Sequence, residues 1–316
     1  MSSKKRPTTP RHLLALSDLT PKALADCLAL AKRCKQRPAT GRNALAGSSL
    51  ALVFQKPSIR TRVSFEVAIA SLGGCFTYLA PEDIQLDTRE PIKDVARTLS
   101  RYVQGIIVRT FRHEQVEEFA RYSSVPVING LSDQHHPCQA LADLLTIQER
   151  FGRLKGLTIC YVGDGNNVLH ALMQGAAMLG VHLQVTTPVA YRPDGRIWTQ
   201  AASLAKAHGA RLSWAEEPMD AAAQADVLYT DVWTSMGQES ERQARVKAFA
   251  RYQINGRLLK QASRRCIVMH CLPAHRGQEI TEDVLEGPQS VVFDQAENRL
   301  HVQKALLLQL FGGKGQ

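Results

Sequence analysis

No apolar run in this 316-residue sequence approaches the roughly 20 residues that a membrane span requires, and no C-x-x-C pair occurs. The seven cysteines, Cys27, Cys34, Cys75, Cys138, Cys160, Cys266 and Cys271, are odd in number and scattered. That pattern opposes a disulfide framework and fits a reducing cytosol. Aromatic residues are scarce at 6%, which leaves few platforms for stacking nucleic-acid bases. The opening stretch from Met1 to Arg11 is basic but lacks an apolar core, so it does not read as a secretory signal; a short disordered lead is expected. Internal repeats and low-complexity tracts are absent.

Positive charge is abundant, with a formal net charge of +10. The basic residues are dispersed, so an anionic small substrate or a solvated surface accounts for the surplus as well as nucleic acid does. The length exceeds what one hydrophobic core usually serves, which predicts two domains of roughly 150 residues each. Apolar strand-like runs alternate with helix-length periodic segments, the mark of a parallel α/β architecture. The first half offers Leu50–Phe54, Gly105–Val108 and Val125–Ile128 as buried strands, and the second offers Leu157–Val162, Val181–Thr186, Ala225–Thr230 and Cys266–His270. A connecting helix is expected from Pro137 to Gly152, and a final amphipathic helix from Asn298 to Phe311.

In parallel sheets ligands bind beyond the carboxyl ends of the strands, so the residues standing there are the candidates. Ser58-Ile59-Arg60-Thr61-Arg62 lies where a strand hands over to a helix, placing guanidinium and hydroxyl groups beside unpaired helix N–H groups. It reads as a phosphate site, with a capped helix and solvated arginines as the alternative. Arg109 ends an apolar strand and needs either an anion or a salt bridge. His136 precedes a helix, and Gln139 offers an amide suited to a substrate with –NH₂ and C=O groups. Gly163-Asp164-Gly165-Asn166-Asn167 invites a dinucleotide reading, but Val168 replaces the third glycine, and Asn167 could instead hold a carboxylate or ammonium group. Asp231 through Gly237 offers a carboxylate for a cationic group and a segment able to close as a lid, or else a capped surface loop. His270-Cys271-Leu272-Pro273 with His275 raises zinc, which strand alternation disfavours, and a Cys271–His136 thiol hydrolase.

Five of these segments occur in one order: Ser58 to Arg62, Arg109-Thr110, His136 to Gln139, Asp231 to Gly237, and His270 to Pro273. Together they resemble the aspartate/ornithine carbamoyltransferase family over about Leu13 to Leu310, and the Ser-Met-Gly loop and Cys271 resemble its ornithine-using branch. The resemblance implies two doubly wound parallel-sheet domains with the active site in the cleft between them. It implies a carbamoyl-phosphate-binding domain at 1–147, an ornithine-binding domain at 148–294, and a C-terminal helix at 295–316 packing back on the first. The implied reaction is carbamoyl transfer from carbamoyl phosphate to ornithine, giving citrulline and phosphate in arginine biosynthesis. No cofactor or metal is implied, nor a nucleic-acid or membrane partner; the implied assembly is a cytoplasmic homotrimer or a multiple of trimers.

By the same resemblance, Ser58, Ile59, Arg60 and Thr61 bind phosphate, and Arg109 bridges phosphate and carbonyl. His136 and Gln139 orient the carbamoyl group, Gln85 reaches the phosphate of a neighbouring subunit, and Arg299 lies near the carbonyl. Asn167, Asp231, Ser235 and Met236 hold the amino-acid end of ornithine, with Cys271 and Leu272 beside the reacting amine and the carbamoyl group. Arg109, His136, Asp231 and Cys271 are the implied catalytic set. Two departures stand out. Ile59 replaces a threonine common in the family, leaving one phosphate bond to the backbone, and Asp87 stands where glycine often follows Gln85-Leu86. N-acetylornithine or another diamine remains an alternative acceptor, and anion binding without turnover an alternative role.

Overall fold

The computed structural model describes residues 12–235 and 237–312; the expected lead, Met1 to Arg11, lies outside the described residues. Two compact units emerge. One takes the chain up to Leu141 together with everything from Arg299 onward, and the other is Ala142–Asn298. The divisions fall inside the helices Pro137–Phe151 and Val292–Phe311, a few residues from the expected 147/148 and 294/295, because each helix gives one end to each unit.

The first unit holds a parallel sheet of β1 (Ser49–Phe54), β2 (Cys75–Leu79), β3 (Gly105–Arg109) and β4 (Val127–Leu131), in the order β2-β1-β3-β4. β1 and β3 are buried nearly throughout, as their apolar runs demand. β4 starts after Pro126, two residues later than expected, because proline lacks the N–H a ladder needs. Ile106, Val108, Val116, Phe119 and Ile92 pack one core face. The last helix covers part of this unit: the Phe311 ring lies where a Cβ on Gly105 would stand, and Lys304 Nζ donates to the Pro38 carbonyl at 2.7 Å.

The second unit holds a five-stranded parallel sheet of β5 (Thr158–Val162), β6 (His182–Thr186), β7 (Leu212–Ala215), β8 (Val227–Thr230) and β9 (Ile267–His270), in the order β7-β6-β5-β8-β9. β2 and β7 had no counterpart among the expected strands. Both are sheet edges and only partly buried, so their sequences carry no continuous apolar run. The final helix begins at Val292, six residues before Asn298. Its buried face carries Gln295, Asn298, Arg299 and Gln303, and those polar residues hide the apolar period. Among the described residues no helix is long and apolar enough to cross a membrane.

Each sheet has one place where successive connections leave in opposite directions, between β1 and β3 and between β5 and β8. Crevices at such switch points are where α/β sheets bind ligands. Beyond β5 the chain crosses another segment closely: a Cβ on Gly165 would lie 2.3 Å from Pro193 N and 2.4 Å from Arg192 C. Backbone cannot give way as a flexible side chain can. Gly165→Ala is therefore expected to destabilise the protein by about 1–3 kcal/mol, read as a lower urea midpoint at unchanged slope; an unchanged midpoint refutes the close crossing.

Candidate active site

In the first unit, β1 ends at Phe54, opposite Arg109 at the end of β3, so the switch point lies between the Ser58 loop and Arg109. Ser58 caps the helix Ile59–Ser71, its Oγ accepting the Thr61 N–H at 3.2 Å. That leaves the first N–H groups of a 13-residue helix for another acceptor. Ile59 is 81% exposed, so its backbone is the part available to the site. Thr61 is buried, and its Oγ1 accepts from Arg299 Nη2 at 3.0 Å and, at a long 3.5 Å, lies against Arg109 Nη1. With its lone pairs so engaged, the hydroxyl hydrogen is directed elsewhere. Arg299 Nη1 donates to Gln139 Oε1 at 2.7 Å, which aims the Gln139 amide.

Arg109 is 5% exposed, and a register shift in the β3–β4 ladder falls between Val108 and Arg109. Its Nε has no hydrogen-bond partner, and among the described residues no carboxylate lies within ion-pair distance of its guanidinium. The salt-bridge alternative fails. Burial first, then the charges of Arg299 and Arg60, push this guanidinium down to about 9, which still leaves it charged at neutral pH. His136 is buried in the same field, with no partner at Nδ1. Burial, then Arg299, Arg109 and Arg60, hold its ring well below the ordinary histidine range, so it is neutral. Arg62 is engaged otherwise, paired with Glu66 at 2.8 Å and stacked 3.6 Å over the Tyr78 ring.

Gln85 is exposed at the end of the short helix Pro81–Ile84, with φ +39°. Asp87 has φ +64°, the left-handed region that favours glycine and that aspartate tolerates better than most residues. Its carboxylate accepts from Gln115 Nε2 at 3.0 Å and from Arg112 at 3.4 Å. The charge that Asp87 introduces is thus met locally.

In the second unit the switch point lies between the loop after β5 and Asp231 after β8. Asp231 is buried, and its Oδ1 accepts from the Val232 N–H and the Cys271 thiol, each at 2.8 Å. Its Oδ2 accepts from Asn166 Nδ2 at 2.7 Å. Asn166, not Asn167, is the cap of the helix Asn167–Met178, its Oδ1 accepting from Val168 and Leu169 N–H groups. Asn167 opens that helix. The backbone of Tyr191 to Pro193 lies directly against Gly165, so this glycine serves a close chain crossing, which disfavours the dinucleotide reading.

The loop after Asp231 is tied down by residues that carried no signal in the sequence. Arg245 donates to the Trp233 carbonyl at 2.9 Å and pairs with Asp164 at 3.1 Å. Burial raises the Asp164 carboxyl to about 6 even against the pull of Arg245. The Ser235 N–H donates to Gln238 Oε1 at 3.1 Å. Met236 lies outside the described residues.

β9 ends at His270, so Cys271 is beyond the strand and strand alternation does not separate the two side chains as expected. Ligand atoms of Asp231, His270 and Cys271 lie within 4.8 Å of one another. A metal there would still have to displace the hydrogen bonds that occupy both His270 ring nitrogens, to the Leu272 N–H at 2.8 Å and to Glu279 at 3.0 Å. The Cys271 thiol donates to Asp231, so a carboxylate rather than a cationic base faces it, which disfavours a thiol nucleophile. Leu272 has φ +56° ahead of a cis bond to Pro273; that φ costs a non-glycine residue about 1–2 kcal/mol.

Residues 11–149 match the aspartate/ornithine carbamoyltransferase carbamoyl-P binding domain, and residues 155–310 match the Asp/Orn binding domain of the same family. The chain belongs to the aspartate/ornithine carbamoyltransferase family. Within it, the chain is 51% identical over 308 residues to the ornithine carbamoyltransferase of Archaeoglobus fulgidus, covering 97% of this chain and 99% of that protein. It is 54% identical to that of Acidothermus cellulolyticus, covering 96% and 99%. The ornithine carbamoyltransferase structure from Pyrococcus furiosus superposes with a TM-score of 0.94 at 50% identity, covering 98% of this chain and 99% of that one. The anabolic enzyme from Campylobacter jejuni gives 0.90 at 37%, covering 95% and 98%.

The neutral state of His136 has a measurable consequence for folding. Unfolding returns the ring to its ordinary value near 6.5, so at lower pH the unfolded chain takes up a proton that the folded chain refuses. Stability falls as pH drops below 6.5, by at most about 1.4 kcal/mol per pH unit from this residue. His136→Asn is expected to flatten that slope in urea unfolding measured at several pH values; an unaltered slope contradicts the assignment.

Proposed function

We propose that this chain transfers the carbamoyl group of carbamoyl phosphate to the δ-amine of L-ornithine, releasing L-citrulline and phosphate. The observation that carries the reading is Arg109, a buried cation with no carboxylate, at a switch point beside a capped helix N-terminus. An anionic, leaving phosphate supplies the missing counter-charge. Ser58, Arg60, Thr61 and the Ile59 backbone take the phosphate oxygens. Arg109 bridges phosphate and carbonyl, with Arg299 near the carbonyl. His136 and Gln139 orient the carbamoyl group.

On the second unit Asn167, Asp231, Ser235 and Met236 take the amino-acid end of ornithine, and Cys271 and Leu272 lie beside the δ-amine and the carbamoyl group. The amine attacks the carbamoyl carbon; the new C–N bond forms, the C–O bond to phosphate breaks, and the amine proton departs. The arginines and helix terminus stabilise the charge that builds on carbonyl and phosphate oxygens, and neither step requires a cofactor. We assign the biosynthetic direction, after the anabolic Campylobacter relative, and a cytosolic site, after the free cysteines.

The reading extends to a homotrimer. Ile59, Val63 and Val67 recur at i, i+4 and i+8 along the helix Ile59–Ser71 and are all exposed, and Phe76 is exposed on β2, the edge strand that this helix touches. These apolar side chains suit burial by a second copy, and the exposed Gln85 is then offered to the neighbour's phosphate. Arg60→Ala and Gln85→Ala are each expected to lower kcat/KM for carbamoyl phosphate, Arg60→Ala by about 10–100-fold for one charge-assisted bond. Dissociating and reassociating a mixture of the two variants should restore activity above that of either one. No gain on mixing removes the shared site.

Asp231→Asn tests the choice of acceptor. It keeps the shape and removes the charge, so citrulline formation should lose about 10–100-fold in kcat/KM for ornithine. Calorimetric affinity for carbamoyl phosphate alone should change little, because its phosphate is assigned to the first unit and Asp231 to the amino-acid end of ornithine. Rival assays with N-acetylornithine, putrescine and aspartate complete the test. Unaltered ornithine kinetics in the variant, or faster turnover of a rival acceptor by the native protein, overturns the assignment.

A further inference from the structure

Beyond Cys271 and Leu272 lies a buried pair that the proposed reaction does not yet use. His270 and Glu279 are both completely buried, and His270 Nε2 is 3.0 Å from Glu279 Oε1. The same Oε1 accepts the His275 N–H at 2.5 Å. On the other side of the ring, Nδ1 is 2.8 Å from the Leu272 backbone nitrogen. A backbone N–H can only donate, so Nδ1 carries a lone pair and the ring proton is on Nε2, donated to the carboxylate. The His270 backbone N–H is held in turn by Gln295 Oε1 at 3.0 Å. Leu272, whose φ of +56° is unfavourable for a branched residue, is therefore gripped through its own N–H.

We propose that His270 and Glu279 are positioning residues: the Glu279 carboxylate fixes the tautomer and orientation of His270, and His270 Nδ1 holds Leu272 and the adjoining Cys271 where the acceptor amine is met. The inference rests on the proposed ornithine site. It also explains why a carboxylate with no place in substrate binding sits at zero exposure behind the loop. Neither side chain touches substrate. Their effect reaches the reaction only through the conformation at Leu272.

Two substitutions separate this role from simple core stabilisation. An asparagine amide reaches about as far as Nδ1, and a glutamine amide about as far as Nε2. His270→Asn keeps an acceptor for the Leu272 N–H but leaves Glu279 without its ring donor. His270→Gln keeps a donor to Glu279 but strips Leu272 of its acceptor. His270→Gln should be the more stable protein in thermal unfolding and the poorer enzyme. Its kcat for citrulline formation should fall about 30-fold or more, against less than about tenfold for His270→Asn. Carbamoyl phosphate affinity by calorimetry should change by less than about threefold in both, because its phosphate is assigned to the first unit. Activity that tracks stability, or equal activity in the two variants, overturns the proposal. Glu279→Gln, which retains an acceptor oxygen, provides the measurement should either histidine variant fail to fold: kcat should drop several-fold with carbamoyl phosphate binding intact, and native kcat overturns the proposal. Asp231→Asn run alongside distinguishes the two levels, since normal kinetics there removes the ornithine site itself, whereas normal kinetics only in His270→Gln removes the brace.

Discussion

A buried guanidinium without a carboxylate is the constraint around which the first unit is organised. Taking Arg109 out of water is unfavourable, and the nearby charges of Arg60 and Arg299 add to the penalty. The fold tolerates the arrangement through neutral oxygens: Thr61 Oγ1 and Gln139 Oε1 occupy Arg299, and Ser58 uses its hydroxyl to cap the helix rather than to neutralise a charge. No neutral group removes the surplus. An anion does, and a dianion that gains charge as it leaves does so most strongly in the transition state.

The second unit solves the opposite problem with the same topology. At its switch point stands a carboxylate, and Asp231 is framed by three donors: an amide from Asn166, a backbone N–H from Val232 and the thiol of Cys271. Asn166 does two jobs at once, capping a helix with its oxygen and orienting Asp231 with its nitrogen. Arg245 holds the adjoining loop through Trp233 and pairs with Asp164 and Glu241, so its charge is balanced by carboxylates other than Asp231. One sheet thus presents net positive charge and the other a framed negative one, as the proposed carbamoyl phosphate donor and amine acceptor require.

The two departures from the family pattern have structural explanations. Ile59 sends its side chain to the exterior, so what the position offers its surroundings is the backbone N–H of the first helical turn. Asp87 adopts a positive φ, the region that favours glycine, and its charge is met by Gln115 and Arg112. Neither explanation was available from the residues alone.

Much was legible from residue order because buried parallel strands are continuous apolar runs, and β1, β3, β5 and β8 could be found within two residues. The reactive ends of those strands were legible for the same reason, since the end of each apolar run marks the rim of a sheet, where ligands are met. Ser58 to Thr61, Arg109, Asp231 and Cys271 all fall there. The strands β2 and β7 escaped because they are only partly buried and carry no continuous apolar run, and the start of the last helix escaped because its buried face is polar. Residues that act by holding others, Asn166, Arg245, Gln295 and Glu279, carry no periodic or motif signature; their importance is a matter of distance across the fold. Local sequence determined which chemical groups stand at the strand ends, because propensity and burial act on neighbours along the chain. Only the tertiary structure decided which of those groups face one another, which charges go uncompensated and which nitrogen of His270 keeps its proton, because those depend on contacts between residues far apart in sequence.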